Sequence, residues 1–592
     1  MLKKNSTRAV RAKRWLALLA SLSTAWLLGP AALAEAPSNY QSPLGLNLQQ
    51  VSYFSSEMPF LNILKTGTGW FTQARGTWDT GEEAYVNLDA DGYPVSLTAK
   101  GDPKSQKFTS VGTLLMRSLP QTSNGYYPAG QYVVLYDGQG TLTYSFDARL
   151  VSSAPGRDVI NVTPSPSGIW LQITSTDPKH TGNYIRNIRV VQAKYESALA
   201  SGQVFSPTFL ADLQNFRALR FMDWLHTNNN TLSAWTDRPV PSNAFWGTSK
   251  GVPLEVCVQL ANAVSADAWL NIPVKATDDY VTAMARLVHA ELKPTQKAYV
   301  ELSNEVWNGS FSQNAYSITS GQAAFPGQTN KYYAGWEWYG MRVAQIGDIW
   351  YGVFGSTDFN SRVVMVMAAQ TVNPFSLQEE LSTPDWKGAG NAPAAAHHIG
   401  VAAEAAYFLG TPTKQQLAPM LSAAGNSALT ALYSQATAPN GDIAHTIGFV
   451  AQDVKIAAAF DLPLVAYEGG QALNGYPTYA IGTPQFNLFT QFNRSSLMGS
   501  LYTTDLTAWK AAKGTLFMLY NDSSPPSQYG EWGLLESMMQ TTDPLPGAPQ
   551  KWQAVQSFMK NNPCWWAGCA AALQSDAPNT PANFHATDPA HE

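Results

Sequence analysis

The chain has 592 residues, only 13% of them charged, and a net charge of -5, so it is long enough for more than one folding unit and carries no basic field with which to hold phosphates. Nucleic acid is therefore excluded as an expected partner. Aromatic residues reach 12%, with 19 Trp, but rigid amphipathic rings pack in cores as readily as they stack on sugars, so their number alone is weak evidence for a glycan ligand.

Taken in chain order, residues 1–34 read as a cleaved secretory signal. MLKKNSTRAVRAKRW is basic, WLALLASLSTAWLLGPAA is apolar, and Ala32-Leu33-Ala34 gives a small-x-small site before Glu35. This predicts a secreted or periplasmic protein. An uncleaved anchor is disfavoured because Gly29-Pro30 breaks a run already near the lower limit for spanning, and no later segment is apolar enough to cross a membrane.

Residues 40–72 predict a first strand, LGLNLQQV (44–51), followed by a loop and a helix. From 73 to 195 come short alternating segments such as TLLMRSL, QYVVLYD, TLTYSFDA and GIWLQITST, separated by Gly, Pro, Asn and Asp turns, which is the signature of an inserted β-sandwich. Its aromatics Tyr126, Tyr127, Tyr132, Tyr136 and Trp170 suit an inner sheet face or a binding face, and a role in bracing is favoured. From 205 to 574 strands alternate with helical patterns, and 575–592 is a polar, Pro-bearing flexible tail.

The remaining strand candidates are ALRFMDW (218–224), DAWLNIP (267–273), AYVELS (298–303), RVVMVMAAQ (362–370), HHIGVAAEAA (397–406), LPLVAYE (462–468) and TLFMLYN (515–521). Eight strands with helices between most of them predict an α/β fold, a (β/α)8 TIM barrel with the sandwich inserted after its first strand. An open doubly wound sheet would want a Gly-rich turn after the first strand, and LGLNLQQVSYF has none.

Barrel enzymes place their chemistry at the C-terminal ends of the strands. Strand four closes on Asn304-Glu305 and strand seven on Tyr467-Glu468, across the mouth from one another. Two carboxyls so placed, ~5 to 5.5 Å apart, suit a nucleophile and an acid/base flanking one glycosidic bond. Glu305 has Trp307 and the Glu468 charge to help it hold a proton, while Arg220, His398 and Tyr407 are candidates to keep Glu468 ionised. Arg220 is open between contact with Glu468 and pairing with Asp223.

Trp224, Trp269, Trp307, Trp336, Trp338 and Trp532 are candidate sugar platforms, of which about two are expected to line the cleft, the rest being packing. Tyr520 closes strand eight, with Asn521 and Asp522 behind it. Cys564 and Cys569 are close enough to bridge in an oxidising compartment, whereas Cys257 reads as a buried helical thiol. His397-His398 is the one close His pair, and adjacent residues rarely share a metal; no metal and no cofactor is implied.

LSNEVWN and LVAYEGG resemble the two catalytic signatures of the clan A glycoside hydrolases, retaining enzymes on (β/α)8 barrels. The layout of VSYFSSEMPFLNILK, YVVLYDGQGTLTYSFDA, YIRNIRVV and LRFMDWLHTNNN is similar, more narrowly, to secreted bacterial proteins labelled cellulase-like or cellulose-binding. The resemblance implies Glu305 as acid/base, Glu468 as nucleophile, Asn304 as the partner of the reacting sugar's 2-hydroxyl and Tyr520 as an aromatic floor. It implies a β-linked polysaccharide as substrate, for a monomeric endo-β-glucanase. A non-catalytic carbohydrate-binding protein and an exopolysaccharide-remodelling transglycosylase are the alternatives.

Overall fold

The computed structural model describes residues 39–423, 426–475, 479–540, 549–567 and 569. The expected signal segment, 1–34, and the expected tail, 575–592, lie outside the described residues.

Eight parallel strands close into a barrel in chain order: Leu44–Asn47, Ala218–Arg220, Asp267–Ile272, Ala298–Leu302, Val363–Ala368, Ile399–Phe408, Leu464–Gln471 and Phe517–Leu519. They are called the first to eighth barrel strands below. The eighth returns to the first, with Leu44, Gly45 and Leu46 registered on Phe517, Met518 and Leu519. Period-two alternation divides each strand between two cores. On the fourth, Tyr299 packs in the barrel interior with Trp269, Val366 and Tyr467, while Ala298, Val300 and Leu302 join the layer beneath the helices.

The helices between the strands follow ordinary helical logic. Asp278–Glu291 starts at Thr277, whose hydroxyl accepts from the Tyr280 amide at 3.3 Å, and Asp278 and Asp279 favour its positive N-terminal end. Its buried Tyr280, Val281, Met284, Ala285 and Val288 recur at helical spacing and face the barrel.

Between the first and second barrel strands lie two four-stranded antiparallel sheets. One orders its strands Phe71–Gln73, Ser110–Leu115, Ile169–Thr176, Gly140–Phe146; the other orders them Arg186–Gln192, Gly130–Asp137, Arg157–Val162, Ala148–Ala154. Leu171 and Ile173 of one and Tyr132, Ile160 and Val190 of the other are wholly buried in a single apolar core. Tyr144 donates to Asp158 across the sheets at 2.7 Å. The insertion is tied to the barrel through Leu61, packed with Val133 and Val191, and through Asn124, which donates to the Met539 carbonyl at 2.8 Å.

The helix expected after the first strand is absent. Ile63–Thr66 makes a single 3-10 turn capped by Asn62, and Gly67 ends it in an extended conformation, its amide donating to the Leu64 carbonyl at 2.9 Å. Cys564 and Cys569 form a disulfide, and Cys257 is a buried free thiol.

Candidate active site

The fourth barrel strand ends in an unusual turn. Ser303 and Glu305 both have positive φ, 61° and 41°, flanking Asn304. Non-glycine residues adopt this region at a cost and persist in it where surrounding contacts over-determine the backbone. Here the turn aims Asn304 into the barrel and Glu305 over its mouth: Asn304 Oδ1 accepts from Arg220 Nη2 at 2.8 Å, and Glu305 Oε2 accepts from Asn308 Nδ2 at 2.8 Å.

A different device aims Glu468. Alternation along the seventh strand puts Val465 and Tyr467 in the barrel interior and would send Glu468 outward. The pairing with the sixth strand slips by one residue at this point, Ala466 facing Glu404 and Glu468 facing Ala405. This bulge takes up Tyr467 and returns the following carboxylate to the mouth.

Arg220, on the second strand, organises the site. Its guanidinium is fully buried and makes five hydrogen bonds: to both oxygens of Glu301 (2.9 and 2.8 Å), to Asn47 (2.9 Å), to Asn304 (2.8 Å) and to Glu468 Oε2 (3.1 Å). The bidentate grip on Glu301 fixes the plane of the fork, which leaves Nη1 directed at Glu468. Of the two roles open for Arg220, contact with Glu468 is the one found; Asp223 instead accepts from the Tyr520 hydroxyl at 3.1 Å.

Glu305 and Glu468 face one another across the mouth closely enough for each to act on the other's titration. Burial raises the pKa of both carboxyls, and for Glu468 the Glu305 charge raises it further while Arg220 opposes. The two therefore retain a proton between them at pH values where separate exposed carboxylates are ionised. Because Arg220 is bonded to Glu468, charge is best placed there and the proton on Glu305. Burial also lifts Asp223 to about 6.

Aromatic rings frame the pair. Trp307 donates to the Tyr467 hydroxyl at 3.3 Å; Tyr407 stands edge-on to Tyr520, and Tyr520 edge-on to Trp532, at 6.4 and 5.8 Å between centroids. Burial, and next the Glu468 charge, hold the Tyr407 hydroxyl protonated, so it stays a hydrogen-bond donor.

Several sequence candidates are not in this site. Trp224 is 1% exposed and donates its indole N–H to Glu57 at 3.1 Å, making it core; Trp269 is likewise buried and donates to Glu301 at 2.7 Å. Trp338 is buried against Tyr316, and Trp336 packs with Tyr333 and Phe375 on helices Lys331–Arg362 and Pro374–Ser382. His398 precedes the sixth strand, at the opposite end of the barrel, and stacks on Tyr351 at 4.2 Å; it is too far along the strand to serve Glu468. Asn521 and Asp522 are buried behind the mouth, where Asp522 accepts from the Gln49 amide at 3.0 Å and burial lifts its pKa to about 7.

Glu301 and Asn47 are not among the sequence candidates, yet both hold Arg220. Asn228, which accepts from Asn304 Nδ2 at 3.1 Å, and Asn308 belong with them.

No protein-family model and no curated protein sequence matches the chain. Solved structures do. It is similar to a GH51 arabinofuranosidase from Xanthomonas axonopodis pv. citri (12% identity over 57% of this chain and 63% of that one, TM-score 0.32). It is similar also to a GH5 family lichenase from Caldicellulosiruptor sp. F32 (12% identity, 60% of this chain and 83% of that one, TM-score 0.34) and to a modular endo-β-1,4-mannanase from Cellulomonas fimi (12%, 58% and 62%, TM-score 0.29). The chain thus spans less than two thirds of the length of the arabinofuranosidase and of the mannanase. At such identity and TM-score a likeness carries no argument about chemistry.

Proposed function

We propose that the protein is a retaining β-glycoside hydrolase acting on a polysaccharide, with Glu468 as nucleophile and Glu305 as acid/base. The observation that carries this reading is the pairing of those two carboxyls at the mouth, one bound to a buried guanidinium and the other set to keep a proton. In the first step a Glu468 oxygen attacks the anomeric carbon while the leaving oxygen takes the Glu305 proton. In the second, Glu305, now ionised, takes a proton from water as the water oxygen displaces Glu468.

A flat β-glucan chain cleaved internally is the substrate we favour, on the strength of Trp307, Tyr407, Tyr520 and Trp532 around the pair. We further propose export through the 1–34 segment, and that the two inserted sheets form a β-sandwich that braces the barrel.

The test is reducing-end release from β-glucans, xylan and mannan by the parent protein, Glu305→Gln and Glu468→Gln. Activity on one polymer that both substitutions abolish, with the β configuration retained in the first-formed product, supports the reading. Activity unaffected by either substitution, or an inverted product, refutes it.

A further inference from the structure

The outer face of the inserted sheet that begins at Phe71–Gln73 differs from its inner one. Cross-strand partners share a face. Gln73 is registered on Ser110, Phe71 on Gly112, and Gln172 on Gly112 and Thr143, so these side chains stand together, opposite the Leu171 and Ile173 set that fills the core. Trp170, registered on Leu114 and Ser145, stands on the same outer side.

Trp170 lies flat across the sheet. A Cβ at Gly112 would come within 2.5 Å of its ring, so the glycine is what lets the indole settle on the backbone. Trp78 then covers it, with ring centroids 4.9 Å apart and planes 34° apart, and Phe71 and Phe146 flank it at 5.9 and 6.3 Å. Trp78 is 45% and Phe146 37% exposed, so the cluster ends in an aromatic surface open to solvent. Solvent-facing rings of this size invite a partner that covers them.

Beside the rings runs a row of polar groups. Gln172 Nε2 donates to Ser110 Oγ at 3.1 Å, and Ser110 Oγ donates to Gln73 Oε1 at 2.9 Å. Gln73 Nε2 is left buried without a hydrogen-bond partner among the described residues, the residue being only 6% exposed. Gln73 and Ser110 lie beneath the surface, whereas Gln172, Thr143 and Ser145 on the same face are partly exposed and can reach a ligand. None of the outward positions named here is ionisable, which matches an uncharged partner.

We propose that this face is a second, non-catalytic binding site for a neutral polysaccharide, whose sugar rings stack on Trp78 and Phe146 and whose hydroxyls meet the partly exposed Gln172, Thr143 and Ser145. The site requires neither Glu305 nor Glu468 and stands apart from the catalytic reading.

The test is affinity electrophoresis of the full chain carrying Glu305→Gln through gels containing barley β-glucan, hydroxyethylcellulose, xylan or galactomannan, with and without Trp78→Ala or Phe146→Ala. Circular dichroism confirms that each variant folds. The expected result is retardation by at least one polymer, weakened about tenfold by each aromatic substitution. Equal retardation with and without Trp78, or no retardation by any of the four, overturns the proposal, as does concentration-dependent self-association of the parent that Trp78→Ala abolishes. Because binding is read without turnover, loss of the catalytic reading and loss of this site are told apart: the first is a failure of hydrolysis, the second of retardation.

Discussion

Arg220 and Glu301 grip one another through two parallel hydrogen bonds of 2.8 and 2.9 Å, both side chains wholly buried in the barrel beneath the paired carboxyls. A buried ion pair of this kind is weak evidence for stability but a strong constraint on geometry. Glu301 is also held by Trp269 and Asn271, at 2.7 and 2.9 Å, so the fork has a fixed foundation.

Replacing Glu301 by Gln therefore misplaces Arg220 without removing any group from the mouth. The expected outcome is a fall in kcat of about 10²-fold with KM little changed. Arg220→Met should also lose about 3–5 kcal/mol of stability, since it strands Glu301 in the interior. Steady-state kinetics and thermal unfolding read the two effects separately; a change in KM alone for Glu301→Gln would remove it from the positioning role.

Asn308 donates to Glu305 and so favours its ionised form, against the burial that raises its pKa. Asn308→Ala removes the donor, and the carboxyl then keeps its proton to higher pH. The alkaline limb of kcat/KM against pH should move up, with the acidic limb unmoved. A downward shift would contradict the assignment of Glu305 as the acid.

Glu404, on the sixth strand, and Asp453, on helix Asp442–Ala459, are buried carboxyls that act on one another outside the barrel, and Asp453 acts on the buried Glu380 as well. Burial raises the pKa of all three, that of Asp453 to about 7. The folded state thus binds protons that the unfolded chain gives up near pH 4, and stability falls as pH rises from about 4 to about 7. Asp453→Asn should raise the unfolding free energy at pH 8.5 by on the order of 1–4 kcal/mol and leave it nearly unchanged at pH 4, as read by denaturant unfolding. Equal effects at both values would rule out the protonation account.

Trp224 and Trp532 separate packing from binding. Trp224→Phe strips Glu57 of its indole donor and should cost about 1–3 kcal/mol of stability with unchanged KM. Trp532→Ala, at the rim beside Tyr520, should raise KM for polysaccharide about tenfold with little effect on unfolding.

The strand ends were legible because they are conspicuous in a chain so poor in charge: Asn304-Glu305 and Glu468 each close an apolar run. All eight barrel strands overlap the expected segments for the same reason, each being a short apolar run between polar turns. Glu301 was equally available, since alternation from Tyr299 points it inward, but attention to strand ends passes over a carboxylate one turn of the pleat earlier. The turn of Glu468 to the mouth was not legible, because it depends on a register slip between two strands. His398 stands at the start of the expected sixth strand, 397–406, as it does of the observed one, Ile399–Phe408, so strand direction alone sets it at the end of the barrel away from Glu468. Nor does sequence tell which Trp face a cleft, as Trp224 illustrates.

The closure of the barrel bears on the order in which the protein is made. The first strand, Leu44–Asn47, pairs on one side with Ala218–Arg220, beyond the whole insertion, and on the other with Phe517–Leu519, near the far end of the chain. During synthesis it must wait for both neighbours, and the eighth strand arrives only after the six barrel strands between the first and the eighth have left the ribosome. Asn47, which helps to hold Arg220, belongs to this late-joining strand. The geometry of the paired carboxyls is therefore completed in the last act of assembly, and a nascent chain that lacks its eighth strand carries both glutamates but not the site.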